Sequence, residues 1–598
     1  MQKAVEPPVK TVLVWATDTR SGVRYQEERQ IRYDSETDNY KVLQSRRTGW
    51  KILPGESEPV PTRKKRPNGT GRASKKVAAS SAETTTQAKR RRTGATDLID
   101  WAAKKSGIGS KVSTAFQGKG ATGEKVMSAA YFLVATGETV NNIGSWQLQH
   151  DLPYSAGMSE DSCYQLFEDV GADETSIQLL FNGLADIAGK ESAVLALDST
   201  TESTYSKAEN GLTPMARQGF NKAGDGLDAF KLMTFYSVDS RLPVSFEIQP
   251  GNIPDVSSVL NSIKRAKSYG LKKPQFVLDN GFYSKSNVLR FCRANVKFTI
   301  RATLADKWIC SRLDGDEKAG IASLRAGLDD VCSAMPSDVN TCGVSTSAMT
   351  EFSWVRERGA YGKAAGDVEK EEHRIYYHYF LNKYKRETQI QSLLTKLYSL
   401  KRRVENQAPL SEEEKKLSAK FLTIKTVRGK KIVADLIKDV VEEEVKDYGI
   451  FALISNVDKD AQSALSHYRL RNIIEESYRV IKTDLDGRRP RAWSTVKARG
   501  KEVCRLVALG LRFYLTDSFK KIKQKAIENS KNEERFSKAE REAFSGLARW
   551  LDAMTTKEIL DWFDCIETVT VQNSLGRTRW TTESIKRDQL FKTMLNDL

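Results

Sequence analysis

The chain has 598 residues, 39% of them hydrophobic and 29% charged, with a formal net charge of +18. That length exceeds one hydrophobic core and implies roughly three to five structural units. No run of about eighteen uncharged apolar residues exists to cross a membrane, and the opening MQKAVEPPVKTVLVW lacks the apolar stretch of a secretory leader, so a cytoplasmic location is expected.

Four histidines and seven scattered cysteines, none in a Cys-x-x-Cys pair, argue against a zinc site or a disulfide framework. The cysteines read as small buried apolar side chains. The positive excess favours a polyanionic partner, nucleic acid first.

In chain order, residues 1–60 read as a small β-rich unit, with TVLVWAT and the segment around Tyr40 to Ile52 as strands. Residues 61–95 read as a basic, disordered linker. From Thr62 to Arg92 there are eleven Lys and Arg and one acid, Glu83. This stretch holds Arg63, Lys64, Lys65 and Arg66, then Lys89, Arg90, Arg91 and Arg92, which are expected to track DNA phosphates. The alternative is a tether that grips nothing. Residues 96–190 have helical apolar spacing and suit a DNA-end reader, or equally a packing or dimer module.

From 191 the pattern changes to strand, strand, strand, helix, strand, helix, strand. AVLALD (193–198), AFKLMTFYSV (229–238), PVSFEIQP (243–250), PQFVLD (274–279) and VKFTIRA supply the strands. The fold class is therefore α/β with a mixed sheet, in the element order of the ribonuclease H fold. A large insertion, 305–445, interrupts this core, which resumes at YGIFALISN (448–456), so the core spans 191–304 and 446–515. Residues 516–598 read as a helical C-terminal region suited to dimerisation.

Two of the apolar strands end in acids, Asp198 and Asp279. Carboxylates at strand ends face a crevice, where hard cations such as Mg²⁺ take oxygen ligands. Either aspartate alone reads more readily as a turn residue or helix cap than as a ligand. HYRLRNIIEESYRVIK (467–482) is expected to be one helix. At about 100° per residue, Tyr468, Arg471, Glu475 and Lys482 fall on one narrow stripe, and Leu470, Ile473, Ile474, Val480 and Ile481 lie opposite. Glu476 falls outside the stripe, which makes Glu475 the better candidate ligand. On its own the stripe also suits a solvated face with salt bridges.

Together these residues resemble the YREK group of bacterial insertion-sequence DDE transposases. Tyr468-x2-Arg471-x3-Glu475-x6-Lys482 has that group's signature spacing, Asp279-Asn280-Gly281-Phe282 matches its second-acid motif, and Asp198-Ser199-Thr200 resembles its first. The resemblance covers the core and not residues 1–95. It implies a ribonuclease H-like core in which Asp198, Asp279 and Glu475 are catalytic and hold two Mg²⁺ or Mn²⁺ ions. Two such ions suit in-line phosphodiester displacement. It further implies that Tyr468, Arg471 and Lys482 contact DNA, and that transposon ends and target DNA are cut and joined through a hairpin. A homodimer in a synaptic complex, associated with the bacterial nucleoid, follows from the same resemblance. Related alternatives are a nuclease that cuts without joining and a transposase-derived DNA-binding regulator without catalysis.

A hairpin needs a base pulled from the stack, commonly held by an aromatic ring. In the insertion, Trp354 ranks first for this role, because Arg356 and Arg358 lie beside it, and Trp308 second.

Overall fold

The computed structural model describes residues 9–61 and 87–598, apart from 20, 35–36, 190–192, 206–214, 220–223, 318–319, 337–338, 356–365, 428–430, 473–474, 477, 481–493, 574–575 and 583. Two compact units result, 1–85 and 86–598.

The first unit is an antiparallel meander, β1 (Lys10–Thr17), β2 (Arg24–Asp34), β3 (Asn39–Ile52) and β4 (Val60–Pro61), in the order β1-β2-β3-β4. Asp38, with φ +49°, turns β2 into β3. Only Ile52 among its described residues is buried.

The second unit opens with β5 (Gln87–Arg92), followed by five main helices between Gly94 and Ala188. Next come β6 (Val194–Ser203), β7 (Ala229–Ser237) and β8 (Leu242–Pro250), the helix Asp255–Ser268, β9 (Gln275–Leu278), the helix Lys285–Arg293 and β10 (Lys297–Ala302). Two short helices lead to the hairpin β11 (Thr341–Val355) and β12 (Val368–Asn382). A helical stretch carries the small pair β13 (Leu422–Val427) and β14 (Lys431–Leu436), and β15 (Ile450–Ser455) returns to the main sheet. The remainder holds the helices Ala461–Leu470 and Thr495–Lys531, three further helices, and the pair β16 (Glu567–Asn573) and β17 (Gly576–Thr581).

One eight-stranded mixed sheet organises this unit, in the order β11-β12-β15-β10-β9-β6-β7-β8. β6, β9 and β10 run parallel, and the other pairs are antiparallel. Leu195 to Leu197 and Phe276 to Leu278 are completely buried. Covered on both faces, these strands need apolar residues at every position, which is why they read as runs rather than alternations. Phe246 meets Phe181 of the helix Glu174–Ala188. The next residue, Glu247, accepts from Ser262 of the helix Asp255–Ser268 at 2.6 Å. Adjacent strand residues point to opposite faces, so helices cover the sheet on both sides.

Four features differ from the sequence expectations. The basic run Lys89 to Arg92, expected within an unstructured linker, is strand β5, paired in register with β16 from Glu567↔Arg92 to Gln572↔Gln87. Backbone pairing to a distant strand orders residues whose own composition favours no fold. The expected insertion is not set apart: β12 pairs directly with β15, so the β11–β12 hairpin extends the main sheet. The C-terminal region is less uniformly helical than expected, since β5, β16 and β17 form a three-stranded sheet. Finally, Cys332 and Cys342 are joined as a disulfide, because the helix Arg325–Ala334 lies against β11 and brings their Cα atoms to 5.4 Å. Five cysteines remain free.

Candidate active site

Leu197 of β6 lies opposite Leu278 of β9 in parallel register. The next residues, Asp198 and Asp279, therefore stand side by side, but only Asp279 follows a strand end: β6, expected to end at Asp198, continues to Ser203 in pairing with β7, so Asp198 lies mid-strand. Asp279 is the N-cap of the single 3₁₀ turn Asn280–Phe282, yet its side chain makes no capping hydrogen bond. The carboxylate is thus not used as a cap. Burial differs across the set: the Asp198 side chain is 16% exposed, Asp279 35% and Glu475 60%.

The third acid arrives from the far side of the β11–β12 hairpin. The helix Ala461–Leu470 begins under an Asp460 cap, Ser463 N donating to Oδ1 at 2.8 Å. Arg471 is its C-cap, with its N–H bonded to the Tyr468 carbonyl at 3.1 Å. Helical backbone resumes at Asn472 and includes Glu475, Glu476 and Tyr478 to Val480. The single helix expected over 467–482 is therefore broken at Arg471, and Lys482 lies outside the described residues.

Three residues of the expected stripe, Tyr468, Arg471 and Glu475, come together here. Tyr468 Oη donates to Asp279 Oδ1 at 3.1 Å. The Arg471 guanidinium lies 3.3 Å from Asp279 Oδ2, 4.0 Å from Asp198 Oδ2 and 2.7 Å from Glu475 Oε1. Burial disfavours its charge, but Tyr468, Asp279, Asp198 and Glu475 overcome that and raise its pKa above the ordinary guanidinium value. One buried cation thus occupies the point on which all three acids converge.

Several supporting residues escaped the sequence reading. Ser199 Oγ donates to Asp255 Oδ2 at 2.7 Å, and Lys231 Nζ, nearly buried, is 2.7 Å from Asp255 Oδ1. A fourth carboxylate and a lysine therefore stand behind the first acid. Tyr478 Oη donates to the Asp198 carbonyl at 2.7 Å. Burial, then the negative charge of Asp198, pushes that phenol well above its usual pKa, so it stays protonated. Buried Asp458 accepts from Gln275 at 3.0 Å and sits 3.0 Å from His467 Nδ1. It ties the start of β9 to the helix carrying Tyr468. Asp255 follows no apolar strand run, and Asp458 lies in a loop, so neither had a local signature.

The remaining candidates are dispersed. Trp308 lies parallel to Tyr283, four residues past Asp279, with centroids 6.4 Å apart. Trp354 stacks under Arg293 at the end of the helix Lys285–Arg293, 3.3 Å from the ring centroid. Arg356 and Arg358, like Arg63, Lys64, Lys65 and Arg66, lie outside the described residues. Lys89 and Arg91 pair with Asp151, at 2.8 and 3.3 Å. Arg92 lies 3.5 Å from Asp564, and Arg90 pairs with Glu567. These four charges, expected to be unopposed, lie against three acids, Asp151 serving both Lys89 and Arg91.

An all-oxygen donor set of three carboxylates suits a hard divalent cation, and the cationic Arg471 marks where their fields overlap. As placed, the carboxylates surround a guanidinium: among the described residues no three His, Cys, Asp or Glu side chains form a group that could hold a metal. Among the described residues no helix is long and apolar enough to cross a membrane.

The model of one protein family, described as Transposase DDE domain, matches residues 189–501, just over half of the chain. The match contains all three acids and Arg471. No curated protein matches the chain.

Proposed function

We infer the chemistry from one premise: the chain belongs to the transposase DDE domain family and is an enzyme that cleaves and joins DNA. The reading that fits the geometry best is a ribonuclease H-like core whose catalytic carboxylates are Asp198, Asp279 and Glu475. The strand order β8-β7-β6-β9-β10, with β6, β9 and β10 parallel, supports it. The observation that carries the proposal is the convergence of acids from β6, β9 and a distant helical segment on one guanidinium.

Asp198, Asp279 and Glu475 would hold two Mg²⁺ or Mn²⁺ ions, which when bound activate water and stabilise the leaving oxygen of the phosphodiester. The chain's own residues set up that site. Asp198 and Asp279 are fixed by parallel pairing, and Tyr468 orients Asp279 by its hydrogen bond. Arg471 holds the acids close together until a cation competes for them. Its planar fork then suits a DNA phosphate, which would give it a new partner as it leaves the carboxylates. Asn at 198 or 279, or Gln at 475, should abolish cleavage of an end-bearing duplex in Mg²⁺ while binding persists in a mobility-shift assay. Retained cleavage in the Glu475→Gln protein would overturn the assignment.

The YREK subtype, and with it a hairpin intermediate and a synaptic homodimer, is proposed on the spacing of Tyr468, Arg471, Glu475 and Lys482. Of the two tryptophans proposed to receive a flipped base, Trp308 lies one ring from the segment following Asp279, so it takes precedence over Trp354. Trp308→Ala should allow the first nick and reduce hairpin yield on a denaturing gel, and an abasic site at the flipped position should restore it. Normal hairpin yield would remove Trp308 from the role.

A further inference from the structure

The four-stranded sheet of the N-terminal unit has one buried residue, Ile52, and exposes Leu13, Tyr33, Tyr40 and Trp50. An antiparallel sheet ordinarily buries one face; among the described residues of this unit neither face forms a buried core.

Its register sorts the side chains. Residues directly opposite each other share a face, and one face carries the rungs Lys10–Ile31–Val42, Val12–Arg29–Ser45, Val14–Glu27–Arg47 and Ala16–Tyr25–Lys51. Each rung holds one cation: Lys10 on β1, Arg29 on β2, then Arg47 and Lys51 on β3. They run diagonally across the sheet, about 6.6 Å of strand per rung. The only acid on those rungs is Glu27. It is held by Arg29 at 2.9 Å, with Ser45 donating to it at 2.9 Å and Arg47 at 4.0 Å. Arg47 also lies over the Tyr25 ring, 4.0 Å from its centroid. The strand β3 itself, from Asn39 to Ile52, contains four Lys and Arg and no acid, Arg47 and Lys51 on this face and Lys41 and Arg46 on the other.

We propose that this face is a docking surface for duplex DNA, separate from the catalytic sheet, which grips backbone phosphates through Lys10, Arg29, Arg47 and Lys51. The inference rests on the family reading only for the presence of DNA as substrate. Charge complementarity selects the occupant. Four cations in a diagonal file about 20 Å long, against one neutralised carboxylate, match a polymer with one charge per about 1.7 Å of axis.

The test uses the full chain and a labelled 30-bp duplex of arbitrary sequence, with binding followed by fluorescence anisotropy across a salt series. Replacing Lys10, Arg29, Arg47 and Lys51 together by Gln should weaken binding at least tenfold at low salt. It should also lower the slope of log K against log salt by about 3.6, since each of the four phosphates no longer neutralised takes away about 0.9. The charge-preserving set Lys10→Arg, Arg29→Lys, Arg47→Lys and Lys51→Arg should bind as the parent does. Equal loss in both sets overturns the proposal, because the effect would then not be charge. An unchanged slope overturns it too, and a shift in oligomeric state by light scattering at unchanged slope would assign the face to a second copy instead. Cleavage by the active-site variants is read separately, so failure of this proposal and failure of the catalytic assignment are distinguishable.

Discussion

On the proposed assignment, Arg471 and a divalent cation compete for one position. The guanidinium is 9% exposed and within 4.0 Å of all three acids. Removing it takes away the one guanidinium that all three carboxylates share. Arg471→Gln should therefore raise Mn²⁺ affinity in the DNA-free protein by about tenfold, equal to about 1.4 kcal/mol, as read by calorimetric titration. Unchanged affinity would show that the arginine does not hold the metal position. A second residue-scale consequence concerns the buried cluster in which Arg505 Nη1 meets Glu202 at 2.8 Å and Glu502 at 2.9 Å. Two carboxylates share one guanidinium. Burial is the larger influence and raises the Glu502 pKa to about 8, against the attraction of Arg505. The folded chain then binds a proton that the unfolded chain has released, from the ordinary glutamate pKa up to about 8. Stability falls as pH rises through that window, on the order of 2 kcal/mol between about pH 6 and pH 8. Glu502→Gln should flatten this dependence in thermal melts recorded across that range; an unaltered profile would place its origin elsewhere.

Among the elements, the crossing of the helices Glu160–Ala172 and Thr495–Lys531 depends on two glycines. A Cβ on Gly171 would collide with the Val496 carbonyl oxygen, and one on Gly500 with that of Phe167. The obstructing atoms are backbone and cannot rotate away. Gly171→Ala or Gly500→Ala should each cost about 2–3 kcal/mol or more, measured by denaturant unfolding, although alanine ordinarily favours a helix. The elements around the site were the legible part of the sequence. The apolar runs that end in Asp198 and Asp279 are β6 and β9, because full burial writes itself as consecutive apolar residues. The wheel put Tyr468, Arg471 and Glu475 on one stripe; Tyr468 and Arg471 do meet the aspartates, and Glu475 is joined to them through Arg471. The break at Arg471 was not legible, since the segment's apolar spacing runs through it. Nor was Asp255, whose place depends on how the helix Asp255–Ser268 docks against β6 and β7.

For the second unit as a whole, closure depends on residues at the two extremes of its sequence. β5 pairs with β16, and Thr93 Oγ1 is 2.7 Å from Thr568 Oγ1, 475 positions away. Phe591, Met594 and Leu595 are almost fully buried in the same hydrophobic core as the catalytic sheet. Fully burying each is worth roughly 1.5–3 kcal/mol, so losing all three removes an amount comparable with the whole stability of a domain. Deleting residues 567–598 should therefore abolish the cooperative unfolding transition of the entire unit in scanning calorimetry. A full-sized transition in the truncated chain would show that the tail is an appendage. No local pattern announces this pairing. The KRRR of β5 looks like a solvated run because its acids, Asp151, Asp564 and Glu567, are remote in sequence.

The β5–β16 pairing also sets a timetable. Ribosomes add about 5–20 residues per second, so the opening strand of this unit waits roughly half a minute to a minute and a half before its partner has been made. Its exposed edge must survive that interval unpaired, and the positive charges along it are what keep such an edge from joining another chain's.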